Sequence, residues 1–254
     1  MSAASAVSTM IDEPQVTRVR NELQRRTLTV GRVERLAPDM VRVVLGGEAL
    51  SGFTSLGFDD HIKLFFVDGA GGSAMRDFTP RRFDAARAEL WIDFYLHEAG
   101  PAASWAAQAA AGQSLEVGGP KGSAVISNAG VGAHVLIGDE TALPAIGRRL
   151  EELPAGLRAR VIIEVDNVDS WRSFLLLGNA QVVWVARGGV IEALRRLRFP
   201  EENCFFWVAT ESQSARAIRR YLSGERGVSK RWIKATGYWQ KSSAGAHEPI
   251  TDED

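Results

Sequence analysis

The hydrophobic period of the chain changes near Gly130, and this limits the fold more than any other feature of the sequence. Before that point, apolar and polar residues alternate in short segments: Thr27–Arg35 (with Leu28, Val30 and Val33), Met40–Leu45, His61–Val67 and Glu89–Leu96. Alternation broken by glycine and proline predicts the short antiparallel strands of a sandwich or barrel. One helix is expected in this half, over Pro101–Ala111, with proline just inside its start and Gly112 just past its end. After Gly130 the apolar runs are continuous, at His134–Ile137, Arg160–Val165, Gln181–Ala186 and Cys204–Ala209. Helical spacing separates them at Thr141–Leu153, Val190–Leu197 and Ser212–Tyr221. Such a pattern predicts βαβ units around a parallel sheet buried on both faces. The expected architecture is an N-terminal antiparallel β-barrel over 15–128, followed by a doubly wound parallel α/β domain over 129–241. Residues 1–14 and 242–254 read as flexible tails.

Composition removes several function classes. Thirty basic and 31 acidic residues give a formal charge of -1, which argues against a general nucleic-acid binder. The single cysteine, Cys204, excludes an internal disulfide and a thiolate metal cluster. Four histidines lack metal-ligand spacing, so no metal site is expected. No apolar run is long enough to span a bilayer and no secretory signal opens the chain, so a cytoplasmic protein without membrane insertion, and a monomer, is expected. Neither a Gly-x-Ser-x-Gly elbow nor a P-loop is present, which leaves hydrolase and kinase readings without support.

Four stretches can carry chemistry. The first is Arg76-Asp77-Phe78-Thr79-Pro80-Arg81-Arg82-Phe83. Arginines grip phosphate oxygens in pairs, an aromatic can stack on a flavin ring, and a hydroxyl can face its N5. An edge strand carrying solvated arginines explains the same residues equally well. The second runs from Asp93, Tyr95 and His97 into Gly100-Pro101 and Ser104-Trp105, where a helix start offers free N–H groups. The third is Gly138-Asp139-Glu140-Thr141-Ala142-Leu143-Pro144, a strand-to-helix turn in the place of a dinucleotide phosphate loop, though without the usual glycine fingerprint. Glu164 and Asp166 end the next strand, where an acid can accept a ribose 2′-OH and repel a 2′-phosphate; Arg187 can override that preference. The fourth, Arg216–Lys241, is basic with interleaved aromatics and reads either as an anion surface or as a solvated face.

Taken in order, these motifs resemble the siderophore-interacting proteins, FAD-dependent ferric-siderophore reductases of the ferredoxin-reductase superfamily. The resemblance rests on Arg76–Asp84, Asp93–His97 with Gly100–Ala106, Gly138–Ile146, and Ala209–Ser212 with Gly237–Trp239. It implies roles for particular residues. Arg76 and Arg81 would hold FAD phosphate, Phe78 would stack on the flavin in place of the family's tyrosine, and Thr79 would lie near N5. Asp93, Tyr95, His97, Ser104 and Trp105 would complete the FAD site. Gly138, Asp139, Thr141, Ala142, Glu164 and Glu211 would meet NADH or NADPH. Lys63, Lys121 and Lys241 would hold an anionic ferric siderophore, with Lys121 where the family usually has arginine and Gln240-Lys241 in place of an arginine pair. The implied activity is NAD(P)H-driven release of Fe(II) from the chelate. Two alternatives stand beside it: a general flavin or quinone reductase of the same fold, which would not prefer ferric chelates, and a delivery protein that binds chelate without turnover.

Overall fold

The computed structural model describes residues 12–67, 72–97, 100–171, 180–198, 203–241 and 248–251. The first half contains β1 (Val16–Arg20), β2 (Arg25–Ala37), β3 (Met40–Gly46), β4 (Ile62–Val67), β5 (Ser73–Phe78), β6 (Arg82–Asp84), β7 (Glu89–Tyr95), α1 (Pro101–Ala107), β8 (Ser114–Gly118) and β9 (Gly122–Ile126). Seven strands form one antiparallel sheet in the order β5-β4-β8-β2-β3-β7-β6, and β1 pairs with β9. The alternation seen in the sequence becomes one buried face: Leu28, Val30, Val43, Leu45, Leu64, Leu90, Ile92 and Phe94 share a core.

The barrel expected from the sequence is not closed by hydrogen bonds. Among the described residues, no ladder joins the edge strands β5 and β6. These strands are consecutive in the chain, and Thr79–Arg81 link them, so their facing ends lie within about 14 Å of each other. Pro80 in that link has no N–H to give to a ladder. Helix α1 is also shorter than expected: it ends at Ala107, where the Gln108 N–H turns back to the carbonyls of Trp105 and Ala106.

The second half contains β10 (Ala133–Asp139), α2 (Leu143–Glu152), β11 (Arg158–Val165), α3 (Val168–Trp171), β12 (Ala180–Ala186), α4 (Val190–Arg196), β13 (Cys204–Glu211), α5 (Ser212–Arg220), β14 (Ile233–Trp239) and β15 (Glu248–Pro249). The sheet order is β12-β11-β10-β13-β14-β15, parallel through β14 with β15 antiparallel. Strand order reverses between β10 and β13. Leu143, Ile146 and Leu150 of α2 share one core with Leu136 and Trp207, whereas Leu194 of α4 and Ile218 of α5 share another with Val135 and Ile137. Successive β10 residues thus enter different cores, which is why the run is apolar without alternation.

The terminal segments depart from the flexible-tail expectation where they are described. Glu248 and Pro249 pair with β14, and Ile250 is buried in the core. At the other end, the Trp232 indole Nε1–H donates to the Asp12 carbonyl at 3.1 Å. The remaining tail positions lie outside the described residues. No described helix is long and apolar enough to cross a membrane.

Candidate active site

The link Thr79-Pro80-Arg81 lies where the two halves meet, and each of its residues is held from the second half. Thr79 is buried and hydrogen-bonded to the Tyr238 hydroxyl at the end of β14. Burial, then the nearby Asp59 carboxylate, keeps the Tyr238 phenol protonated well above its ordinary pKa. The Pro80 carbonyl accepts from Arg148 Nη1 of α2 at 3.0 Å. Arg148 also donates to Ser55 Oγ and to the Ser55 carbonyl, each at 2.9 Å, and to Glu152 at 2.6 Å. Arg81 pairs with Glu151 of α2, with Nη1 to Oε2 at 2.9 Å, and lies 3.8 Å from Asp93. A side chain at Gly147 would crowd the Arg81 guanidinium, its Cβ 3.2 Å from Nη2. Helix α2 therefore buries Arg148 as well as its leucines, with carbonyl, hydroxyl and carboxylate partners that offset the cost of desolvation.

Beside this link lies an aromatic shelf. Phe78 packs on Phe94 with ring centroids 4.5 Å apart, and Trp105 lies 5.7 Å from both Phe94 and Phe66. Phe78 and Trp105 are only partly buried. Arg76 donates to the Met75 carbonyl at 2.9 Å, and no described carboxylate neutralises it. Asp93, expected at a ligand, instead has both oxygens taken by Arg42 at 2.7 and 2.8 Å. Ser104 is exposed on a helix of only seven residues, too short to concentrate much charge at its start. His97 is exposed and lies against Gly100, whose φ of 136° favours glycine.

The strand ends of the second half are built differently. Asp139 is fully buried and saturated: Oδ1 accepts from the Thr141 amide (2.9 Å) and hydroxyl (2.5 Å), and Oδ2 from Thr210 Oγ1 (2.8 Å) and Trp239 Nε1 (2.7 Å). Ala142 is fully buried, and a Cβ at Gly138 would lie 2.4 Å from that of Ala142, so this glycine is required by packing. Glu211 caps α5 by accepting from the Gln213 and Ser214 amides at 2.9 and 3.0 Å. Arg187 lies among three acids, 2.5 Å from Glu140, 2.7 Å from Asp166 and 3.8 Å from Glu164. Glu164 also accepts the Gly188 N–H at 2.5 Å. Burial raises the pKa of both Glu140 and Glu164. Tyr95, at the end of β7, has its pKa pushed up to about 12 by burial and then by the Glu140 and Asp166 carboxylates. Its titration thus senses the acids of the other half.

Both halves match one family in succession. Residues 29–74 and 69–124 match the siderophore-interacting FAD-binding domain, and residues 131–242 match the siderophore-interacting protein. The chain belongs to the siderophore-interacting protein family. It is 36% identical over 245 residues to the NADPH-dependent ferric-chelate reductase of Escherichia coli, which covers 87% of this chain and 95% of that relative. It is 29% identical over 260 residues to the ferric vibriobactin reductase of Vibrio cholerae, covering 90% of this chain and 96% of the relative. The crystal structure of a siderophore utilization protein from T. fusca superposes with a TM-score of 0.83 at 35% identity, over 91% of this chain and 98% of the other.

Of the three lysines singled out by the sequence, one contacts the strand that leads into the link. Lys63 pairs with Asp77 at 2.6 Å, two residues before Thr79. Lys241 follows Tyr238 by three residues and is exposed. Lys121 is exposed beyond the cis Gly119–Pro120 bond, with its carbonyl accepting from the Asn21 amide at 3.0 Å. The sequence reading missed Arg148 and Glu151, and gave Tyr238 no role although its motif was singled out. Charged residues of an amphipathic helix are assigned to solvent by default, and nothing local marks α2 as facing a second domain. Among the described residues, no three His, Cys, Asp or Glu side chains are grouped to hold a metal.

Proposed function

We propose that this protein is an FAD-dependent NAD(P)H:ferric-siderophore reductase that releases iron as Fe(II). The observation that carries this reading is the link Thr79–Arg81, where a partly open aromatic shelf, an unneutralised arginine and the strand ends of the second half converge. The residues present fit a flavin dinucleotide. Phe78 offers a ring face, Arg76 a guanidinium for phosphate, and Thr79 a hydroxyl fixed by Tyr238. When bound, FAD accepts a hydride from the nicotinamide and delivers single electrons to ferric iron.

The chain's own residues orient and attract. Arg148 and Glu151 fix the link so that Thr79 is presented at one place. We read the second half, 129–241, as a doubly wound nucleotide domain and 15–128 as the flavin domain. The nucleotide then lies at the reversal between β10 and β13. Asp139 and Glu211 are committed to the fold, which leaves the backbone groups of these strand ends to meet it. Lys63, Lys121 and Lys241 attract the anionic chelate without ligating iron. Hydroxamate and catecholate oxygens are hard ligands suited to Fe(III), so reduction loosens the complex. With NADH or NADPH as donor, we read the reaction as a cytoplasmic one.

The test is anaerobic reduction of a ferric siderophore by FAD-loaded protein, with Fe(II) trapped by ferrozine and NADH compared with NADPH. Chelate-dependent Fe(II) above a free-flavin control is expected. Flavin that neither nucleotide bleaches would overturn the reading.

A further inference from the structure

A buried arginine stands on the first half, away from the lysines' own side-chain contacts. Arg26 of β2 is 7% exposed at an end of the sheet's core, stacked over Phe53 at 5.5 Å. Its partners are all neutral: Nε donates to the Ala49 carbonyl at 2.9 Å, Nη2 to Gln24 Oε1 at 2.7 Å and Nη1 to the Gly119 carbonyl at 3.4 Å. A guanidinium has five N–H donors, so one on each terminal nitrogen remains, and no carboxylate pairs with it among the described residues. A buried cation without a counter-charge is costly unless an anion completes it.

Arg26 lines a cleft of about 280 Å³, close to the lower end of the roughly 300–1,000 Å³ typical of small-ligand pockets. Arg20, Asn21, Thr54, Gly119 and Pro120 also line it, together with one acid, Glu22. Arg20 is exposed and has no ion-pair partner among the described residues. The cleft adjoins one of the candidate substrate lysines. A single rung of the sheet crosses Arg25, Gly118, Lys63 and Asp77, so Lys63 shares the face of Arg25 and projects from the face opposite Arg26. Lys121 directly follows Pro120 of the cleft wall.

We propose that this cleft is a carboxylate-binding subsite that takes an anionic arm of the ferric chelate, Arg26 supplying the two free N–H groups and Arg20 the second charge. The assignment of the arm to the chelate rests on the reductase reading. The test uses redox-inert gallium(III) complexes, so that binding is measured independently of turnover. FAD-loaded protein is titrated calorimetrically with a gallium complex of a citrate-based, carboxylate-bearing chelator and with a gallium trihydroxamate that has no free carboxylate. Arg26→Lys, which keeps charge but loses the fork, and Arg20→Gln, an exposed change that leaves the fold in place, should each weaken the first complex about tenfold and the second by less than about twofold. Equal losses for both complexes, or no loss for either, would overturn the proposal. Citrate alone separates the sources: if its binding falls with these variants while the two gallium complexes stay indistinguishable, the cleft is an anion site unconnected with the chelate, and the assignment fails. Failure of the reductase reading would appear instead as absent Fe(II) production with this binding pattern intact.

Discussion

The link Thr79–Arg81 and the loop Gly138–Leu143 both lie where strands of their own sheets end, yet they are stabilised in opposite ways. The loop is satisfied from within its own half: Asp139 alone receives four hydrogen bonds from Thr141, Thr210 and Trp239. The link is held from outside, by Tyr238, Arg148 and Glu151. The difference teaches which part of a candidate site between two sheets is preformed. A loop tied to its own sheet keeps its shape whatever the other half does. A link anchored across a boundary has its shape only when the halves are docked.

Arg148→Ala should break that comparison most severely. It removes the donors to Pro80 and Ser55 and leaves buried carbonyls unpaired, at a cost of about 3 kcal/mol. Thermal unfolding reads the loss, and FAD affinity should fall about tenfold with it. Unchanged FAD affinity in a destabilised variant would show that the link is not set from outside. Asp139→Asn should come next, at about 2 kcal/mol, because an amide N–H₂ then faces donors on one side. Its expected signature is lower stability by urea titration with nucleotide affinity of the folded protein nearly unchanged, the reverse of a ligand-binding acid.

A third outcome concerns the seat of α2. His134 is completely buried against Arg149, and burial, then the Arg149 charge, lowers its pKa to about 3. The folded form therefore refuses a proton that the unfolded chain accepts near 6.5, so stability is lost as pH falls from about 6.5 toward 3. His134→Gln should flatten that slope and lower the acid-unfolding midpoint by about half a pH unit, read by circular dichroism. The smallest effect is expected for Phe78→Tyr. The ring stays on Phe94 and a hydroxyl is added, so FAD should bind about threefold tighter and its visible spectrum should shift. Loss of FAD binding in this variant would remove Phe78 from the shelf.

Much of the fold was legible because periodicity is a local property. The β10, β11, β12 and β13 runs and the α2, α4 and α5 stripes appear close to where the sequence puts them. What failed to appear was non-local. Closure of the first sheet depends on whether β5 meets β6, and the fate of residues 248–251 depends on a free edge at β14. The candidate site divides the same way. Phe78 packs on Phe94 and Thr79 bonds to Tyr238, whereas Asp93, Asp139 and Glu211 are spent on Arg42, on strand ends and on a helix cap.

The sequence by itself determined the order of elements, the two-part organisation and the family, since these follow from patterns within short windows and from motifs in a fixed order. Only the tertiary structure decided which charges are free. A carboxylate or guanidinium is available to a ligand when nothing nearer has claimed it, and the claimants here come from far along the chain: Glu151 for Arg81 and Trp239 for Asp139, whereas among the described residues no acid pairs with Arg26.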